Sequence, residues 1–133
     1  MTAADGLTKA LRCAAAALDK KAIDLVVLDV RGLTAITDYL LICTGRSDRQ
    51  VQAIAQAVDE ELRKVGQRPL AIEGLTRGQW VLIDFNDVVV HVFQKPVREF
   101  YDLERLWEHA PEVSLPEPLR SQALGFSSKT AAI

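Results

Sequence analysis

The stretch WVLIDFNDVVVHVF at residues 80 to 93 constrains the fold more than any other part of the chain. Two apolar, β-branched runs flank Asn86 and Asp87, and this arrangement predicts an antiparallel hairpin with a two-residue loop. With that loop, Trp80 lies opposite Phe93, and directly opposed residues share one side of a sheet. The register therefore divides the hairpin into two faces of different chemistry.

One face of the hairpin is wholly apolar and is the predicted core face. The other combines aromatic rings with a carboxylate and an imidazole, a mixture typical of interaction surfaces, where aromatic anchors supply most of the binding energy. An alternative stays open, in which the last helix folds over this second face and makes Trp80 and Phe93 part of the core. The core face consists of Val81, Ile83, Phe85, Val88, Val90 and Val92, and the second face of Trp80, Leu82, Asp84, Val89, His91 and Phe93.

Helical and strand periodicities elsewhere give the order α-β-β-α-β-β-β-α. Because some neighbouring strands are joined by a helix and others by a tight hairpin, this order predicts a single α/β domain with a mixed five-stranded sheet and flanking helices. The predicted elements are a helix over 7–20, strands over 24–30 and 38–44, a helix opened by a Ser47/Gln50 capping box and stopped at Gly66, a strand over 69–74, the hairpin, and a final helix or two short helical pieces from Pro96.

Composition limits the classes of function. Sixteen basic and eighteen acidic residues among 133 give a net charge of -2, so the chain lacks the cationic excess of proteins that grip nucleic acid, and we expect little direct RNA contact. Cys13 and Cys43 fit neither a redox pair nor a zinc spacing, and we expect both to be reduced. No apolar run is long enough to span a bilayer, so a cytoplasmic protein is expected.

Three blocks of the sequence carry a family resemblance: DYLLICTGRSDRQVQAIAQAV, GQWVLIDFNDVVVHVF and REFYDLERLW. In this order and spacing they resemble the ribosomal silencing factor (Iojap-related) family over residues 7–109. The resemblance implies a non-enzymatic protein that binds the large ribosomal subunit through ribosomal protein fourteen of that subunit. Binding would block subunit joining and repress translation under nutrient limitation.

The resemblance also implies a nucleotidyltransferase-like topology without the catalytic residues, no cofactor, and a possible homodimer of the free protein. Residues 1–109 would form the silencing factor domain. Residues 110–133 lie outside the resemblance; they hold three of the five prolines and show no sustained period, so we expect a variable C-terminal tail that hugs the surface or is disordered.

Partner contacts are implied on the second hairpin face and on REFYDLERLW. A basic ribosomal protein would be met by acidic side chains, for which the candidates are Asp84, Asp87, Glu99, Asp102 and Glu104. The full set of partner-binding residues that the resemblance implies is Trp80, Leu82, Asp84, His91, Phe93, Tyr101, Asp102, Glu104 and Trp107.

The alternative function is a nucleotide-binding or nucleotidyltransferase enzyme that uses the turn from Gly45 to Arg49. A glycine followed by a capped helix start can hold an anion, but the turn lacks the lysine of a P-loop. A nucleotidyltransferase also needs paired carboxylates for magnesium, whereas Asp84 and Asp87 are separated by a turn. The sequence therefore predicts no catalytic residue and no metal site, and an ordinary helix start at this turn.

Overall fold

The computed structural model describes residues 5–124, which form five strands and five helices. One long helix precedes the first strand, a second follows the second strand, and three short helices come after the last strand. In chain order the elements are α1 (Gly6–Asp19), β1 (Ile23–Asp29), β2 (Tyr39–Gly45), α2 (Asp48–Arg63), β3 (Ala71–Glu73), β4 (Trp80–Asp84), β5 (Val88–Gln94), α3 (Lys95–Tyr101), α4 (Leu103–Leu106) and α5 (Leu119–Ala123).

The strands form one mixed sheet in the order β1-β2-β5-β4-β3. β2 and β5 pair in parallel at the centre, and the other three pairs are antiparallel. The parallel pair brings together strands that are far apart in sequence, with α2 as part of the crossover between them. The predicted five-stranded mixed sheet is confirmed.

The hairpin register agrees with the prediction from the sequence. Trp80 pairs with Phe93 and Asp84 with Val89, so every residue falls on its predicted face. Asn86 has a φ of 79°, which asparagine tolerates better than most residues, and its amide donates to a carboxylate oxygen of Asp84 at 2.8 Å. This local hydrogen bond lets an Asn-Asp loop make a turn for which Asn-Gly is the commoner choice.

The apolar face of the sheet carries the main core. Helices α1 and α2 lie on it, and the side chains of Val81, Ile83, Val90 and Val92 beneath them are fully buried. Alanines on the inner side of α1 keep that helix close to its neighbours, and Arg12 reaches Glu61 of α2 at 2.6 Å. Burying a side chain of this size contributes roughly 1.5 to 3 kcal/mol, so this layer dominates the stability of the domain.

The second face of the sheet is half covered. α3, α4 and the residues after them cross the part formed by β1, β2 and the end of β5, and leave open the part formed by β3, β4 and the start of β5. The last helical segment therefore covers part of this face, as the alternative interpretation allowed, because Phe93 is fully buried whereas Trp80 is half-buried. That the open part is an interaction surface stays a prediction. The covered half contains Leu28, Val30, Leu40, Ile42 and Phe93, packed under Val97, Leu103, Trp107 and Ala110.

Residues 111–113 lie along the outer edge of β1. The amide of Asp29 donates to the Pro111 carbonyl at 2.8 Å, and the amide of Val113 donates to the Val27 carbonyl at 2.7 Å. The segment then packs Val113, Leu115, Leu119 and Ala123 against the main core. Up to residue 124 the predicted tail therefore hugs the surface, and residues 125–133 lie outside the described part. The boundary at residue 109 stays a prediction.

Some element limits differ from those predicted. β3 spans only Ala71–Glu73 rather than 69–74, and Gly74, with a φ of 85°, turns the chain directly after it. The final helix is two pieces, as one of the two predicted forms allowed, because Asp102 adopts a left-handed φ of 48° between them. α5 lies within the predicted tail, where the sequence shows no sustained period.

Candidate protein-binding surface

The open half of the second face and the outer side of α3 form one continuous surface. Leu82, Asp84 and Val89 are partly exposed on the strands, and Trp80 at the border touches Tyr101 of α3, with ring centroids 4.7 Å apart. Phe100 continues the surface from Tyr101. We call this surface the open face and define it by Trp80, Leu82, Asp84, Val89, Phe100 and Tyr101.

An aromatic cluster links the interior to the open face. The Trp80 ring stacks on buried Phe93 with centroids 4.8 Å apart, and the Tyr101 ring contacts it with centroids 4.7 Å apart. Phe100 meets Tyr101 edge to face at 5.0 Å. Phe100 is 80% exposed and Tyr101 53% exposed, which is unusual for large aromatic side chains in a small monomer. The exposed rings thus rest on a packed aromatic base.

His91 orients the indole of Trp80. Its Nδ1 accepts a hydrogen bond from Trp80 Nε1 at 3.0 Å, and the imidazole is buried. Burial lowers the pKa of His91 to about 4, so the ring is neutral near pH 7 and carries its proton on Nε2. The histidine therefore serves as a fixed hydrogen-bond acceptor beneath the surface.

The five acidic candidates divide by their internal partners. Asp87 forms an ion pair with Lys9 at 2.7 Å, and Glu104 forms one with Arg98 at 2.8 Å. Asp84 caps its own turn but stays partly exposed. Of the five, Glu99 and Asp102 are exposed, whereas the other three are partly buried. The carboxylates best placed to meet a partner are thus Asp84, Glu99 and Asp102.

Arg98 holds α3 against the sheet, a role that sequence reasoning missed. The residue is 9% exposed, and its guanidinium donates to the Asp24 carbonyl at 2.7 Å, to Thr44 Oγ1 at 2.8 Å and twice to Glu104. Arginine suits this position because its planar fork can donate in several directions at once. The one sequence feature that could have indicated this role is the position of Arg98 directly after the apolar Val97 and shortly before the aromatic pair Phe100 and Tyr101.

The turn from Gly45 to Arg49 is an ordinary helix start, as predicted. Ser47 Oγ accepts from the Gln50 amide at 3.1 Å, and Gln50 Oε1 accepts from the Arg46 amide at 2.6 Å. A Cβ on Gly45 would lie 2.9 Å from Val51 Cγ2, so glycine is needed here for close packing. The glycine therefore has a structural explanation that needs no bound phosphate.

The predicted contact residues do not all reach the surface. His91 and Phe93 are buried and support the open face from below, whereas Trp107 is half-buried on the covered half. Phe100 and Leu106, which are 80% and 72% exposed, were not among the predicted contacts. Which residues touch a partner stays a prediction, and the geometry favours the exposed members of the set.

Two further properties concern the described part of the chain. Within residues 5–124, no three His, Cys, Asp or Glu side chains converge on a site that could hold a metal ion. No helix among the same residues has the length and apolar character that crossing a membrane requires.

Comparison with known proteins identifies relatives along most of the chain. The sequence model of the family described as "Ribosomal silencing factor during starvation" matches residues 3–132. The ribosomal silencing factor RsfS of Bacillus subtilis is 47% identical over 106 residues, which cover 79% of this chain and 90% of that protein. The mouse protein named "Mitochondrial assembly of ribosomal large subunit protein 1" is 31% identical over 87 residues, covering 63% of this chain and 38% of that protein.

A solved structure has the same fold. The crystal structure of a Bacillus halodurans protein superposes with a TM-score of 0.69 at 44% identity, covering 79% of this chain and 96% of that one. The family match and the similarity of sequence and structure agree with one another. The chain belongs to the ribosomal silencing factor family.

Proposed function

We propose that the protein binds the large ribosomal subunit through ribosomal protein fourteen of that subunit and thereby blocks joining of the small subunit. Its effect is to repress translation when nutrients are limiting, and it acts in the cytoplasm without catalysis or a cofactor. Membership of the silencing factor family supports the regulatory role. The name of the mouse relative supports the large subunit as the partner.

The preformed aromatic surface is the observation that carries the proposal. Phe100 and Tyr101 are exposed, yet Phe100 rests on Tyr101 and Tyr101 on Trp80, which is fixed by stacking and by its bond to His91. Rings held in place before binding lose little conformational freedom when a partner covers them. Aromatic side chains of this kind are the residue types that dominate binding energy at protein interfaces.

The charges around the open face favour a basic partner. Asp84 borders the exposed apolar residues, and Glu99 and Asp102 lie on or next to α3 with no internal ion pair in the described structure. Carboxylates at the rim of an interface mainly accelerate encounter with a basic surface and set its orientation. A basic ribosomal protein meets both requirements, and the aromatic centre would supply the affinity.

Blocking by exclusion agrees with the absence of any predicted catalytic residue. A protein that occupies the joining surface prevents association in proportion to its occupancy, so the effect depends on affinity and concentration alone. Removing the central contact should therefore remove binding and inhibition together.

Sedimentation with isolated large and small subunits tests the proposed site. Leu82→Lys places a charge on the open face, and Leu7→Lys is the matched control on α1, at the opposite side of the sheet, where Leu7 is 37% exposed. We expect the unmodified protein and Leu7→Lys to pellet with large subunits only, and Leu82→Lys to stay in the supernatant. Circular dichroism would verify that both variants are folded.

A subunit-joining assay completes the test. Light scattering from purified subunits should show that the unmodified protein slows joining and that Leu82→Lys does not. Undiminished binding by a folded Leu82→Lys variant would refute the placement of the site. Binding to large subunits without any effect on joining would refute the mechanism.

A further inference from the structure

Basic side chains gather at the end of the sheet where β2 and β5 finish and β1 begins. Three connections meet there, namely the α1–β1 turn, the β2–α2 turn and the β3–β4 loop. With the helix and strand ends beside them, they carry six exposed cationic side chains and four exposed carboxylates, an excess of two positive charges in a chain whose net charge is -2. We call this surface the basic end; its cationic residues are Lys20, Lys21, Arg46, Arg49, Arg77 and Lys95, and its acidic residues are Asp19, Asp24, Asp48 and Glu73.

Gln50 ties the first two connections together. Its Nε2 donates to the carbonyl of Lys20 at 3.2 Å and to that of Lys21 at 3.1 Å, while its Oε1 accepts from the amide of Arg46. One side chain thus bridges the backbone of two turns that both carry exposed cations. The spacing of these charges is set by the backbone.

Gln52 and Gln94 attach the third connection. Gln52 Nε2 donates to the carbonyls of Leu75 and Thr76 at 2.9 and 3.0 Å, and Gln94 Nε2 donates to the Gly78 carbonyl at 3.1 Å. Gly78 has a φ of 68° and lies so close to α2 that a Cβ would come 2.7 Å from a backbone oxygen of the helix. The β3–β4 loop, which carries Arg77, is therefore pressed against the start of α2.

The arginines at the start of α2 are placed against the helix dipole. Arg49 is in the first turn and Arg46 just precedes the cap, where the positive end of the dipole favours acidic residues. Within residues 5–124 neither arginine, nor any other cation of the basic end, takes part in an ion pair. Helix stability does not explain these charges, whereas binding of an anion would.

We infer that the basic end binds the phosphate backbone of RNA. Exposed arginines and lysines carried on turns that are packed together are the chemistry that contacts phosphates without reading bases. The inference deepens the proposed function and rests on it. Because α3 begins directly after Gln94, the basic end adjoins the open face, so one partner protein and the RNA beside it could be held together.

The inference revises the expectation of little direct RNA contact. That expectation came from the net charge, which averages over charges that the fold separates. With two excess positive charges at the basic end, the rest of the chain carries an excess of four negative charges, since the total is -2. A weakly acidic protein can therefore present a local cationic surface to RNA.

The salt dependence of binding to large subunits tests the inference. Arg49→Gln/Arg77→Gln removes two cations of the basic end, and Arg68→Gln/Arg120→Gln is the matched control, because it removes two exposed arginines elsewhere with the same change in net charge. Losing two phosphate contacts should lower the slope of log K against log salt by about two and weaken binding about tenfold near 0.1 M salt. The control pair should leave both quantities unchanged.

A short A-form RNA duplex provides a second measurement that needs no ribosomal protein. Fluorescence anisotropy at low salt should show weak binding by the unmodified protein and the control pair, and a clear loss in Arg49→Gln/Arg77→Gln. In the salt-dependence experiment, equal slopes for the unmodified protein, the control pair and Arg49→Gln/Arg77→Gln would overturn the inference. Loss of subunit binding in Leu82→Lys would still uphold the proposed function. Duplex binding without subunit binding would refute the proposed function alone. Preference for anionic lipid vesicles over the duplex would overturn the RNA assignment.

Discussion

Trp80 joins the buried and exposed parts of the aromatic cluster, and its orientation depends on a neutral His91. Protonation of His91 would remove the lone pair on Nδ1 that accepts the indole N–H. The folded protein resists this proton because the imidazole is buried, so its pKa is about 4. The unfolded chain has an ordinary histidine, with a pKa of about 6.5.

This difference predicts how stability changes with pH. Between about pH 6.5 and pH 4 the unfolded state binds more protons than the folded state, so the free energy of unfolding falls as the pH is lowered. From these two pKa values the loss should reach about 2 kcal/mol by pH 5. Urea unfolding at about pH 7.5 and about pH 5 would measure it.

His91→Gln isolates this contribution. Glutamine can still accept a hydrogen bond but does not titrate, so the variant should lose much less stability between the two pH values. Its stability at the higher pH should be lower than that of the unmodified protein, because the ring packing against Phe93 is lost. If both proteins lose the same free energy on acidification, another group is responsible.

Among the elements, α3 and α4 depend on a tertiary anchor. They span 7 and 4 residues, too short to be stable as isolated helices in water. Arg98 connects them to β1 and β2 and to one another, and so holds Phe100 and Tyr101 in position. The shape of the open face is therefore set by a residue that lies beneath it.

Arg98→Met should destabilise the domain by about 2 to 4 kcal/mol, because Thr44, the Asp24 carbonyl and Glu104 lose their donor. Arg98→Lys should recover part of this loss, since lysine keeps the charge but cannot reproduce the fork. Urea unfolding gives the free energies. In Arg98→Met, hydrogen exchange should be faster at the amides of α3 and α4 than at those of α2. Equal protection of the three helices in this variant would contradict the anchoring role.

The C-terminal segment offers a separate test. Val113→Pro removes the N–H that donates to Val27, and should lower the free energy of unfolding by about 1 to 2 kcal/mol more than Val113→Ala, which keeps that hydrogen bond. Amide exchange in β1 should rise in the proline variant. Equal stability of the two variants would show that only the side chain of Val113 matters.

Local patterns predicted some elements much better than others. The hairpin register followed from strict alternation around a two-residue loop, and α2 followed from its apolar stripe and capping residues. The break at Asp102 and the strand-like path of residues 111–113 depend on tertiary contacts, which a period in the sequence does not record. Arg98 was missed for the same reason, because its partners are distant in the chain.

For the whole molecule, the sequence predicted the sheet composition but not the coverage of its second face. Whether Phe93 is buried depends on the path of α3 across β2, which follows from the parallel pairing of two distant strands. The candidate surface therefore contains Phe100 and Tyr101, which are exposed, whereas His91 and Phe93 lie buried beneath it. Likeness of the topology to nucleotidyltransferases stays a prediction.

The open face also predicts self-association of the free protein. Exposed Phe100 and Tyr101 would be partly hidden if two copies packed face to face, and ribosome binding would compete with that contact. Light scattering over a dilution series should show a weak dimer that Phe100→Asp converts to monomer, with Leu7→Lys as the control. A dimer that survives Phe100→Asp would have to use another surface.

The two edge strands of the sheet are protected from pairing with another chain in different ways. β1 is closed by the chain's own residues 111–113, and β3, at the other edge, has only three residues. Growth of fibrils by strand addition needs a long unsatisfied edge. Because the residues that seal β1 follow every strand of the sheet in the chain, a copy cut before residue 111 would leave that edge unpaired, and such a copy is the form most exposed to aggregation.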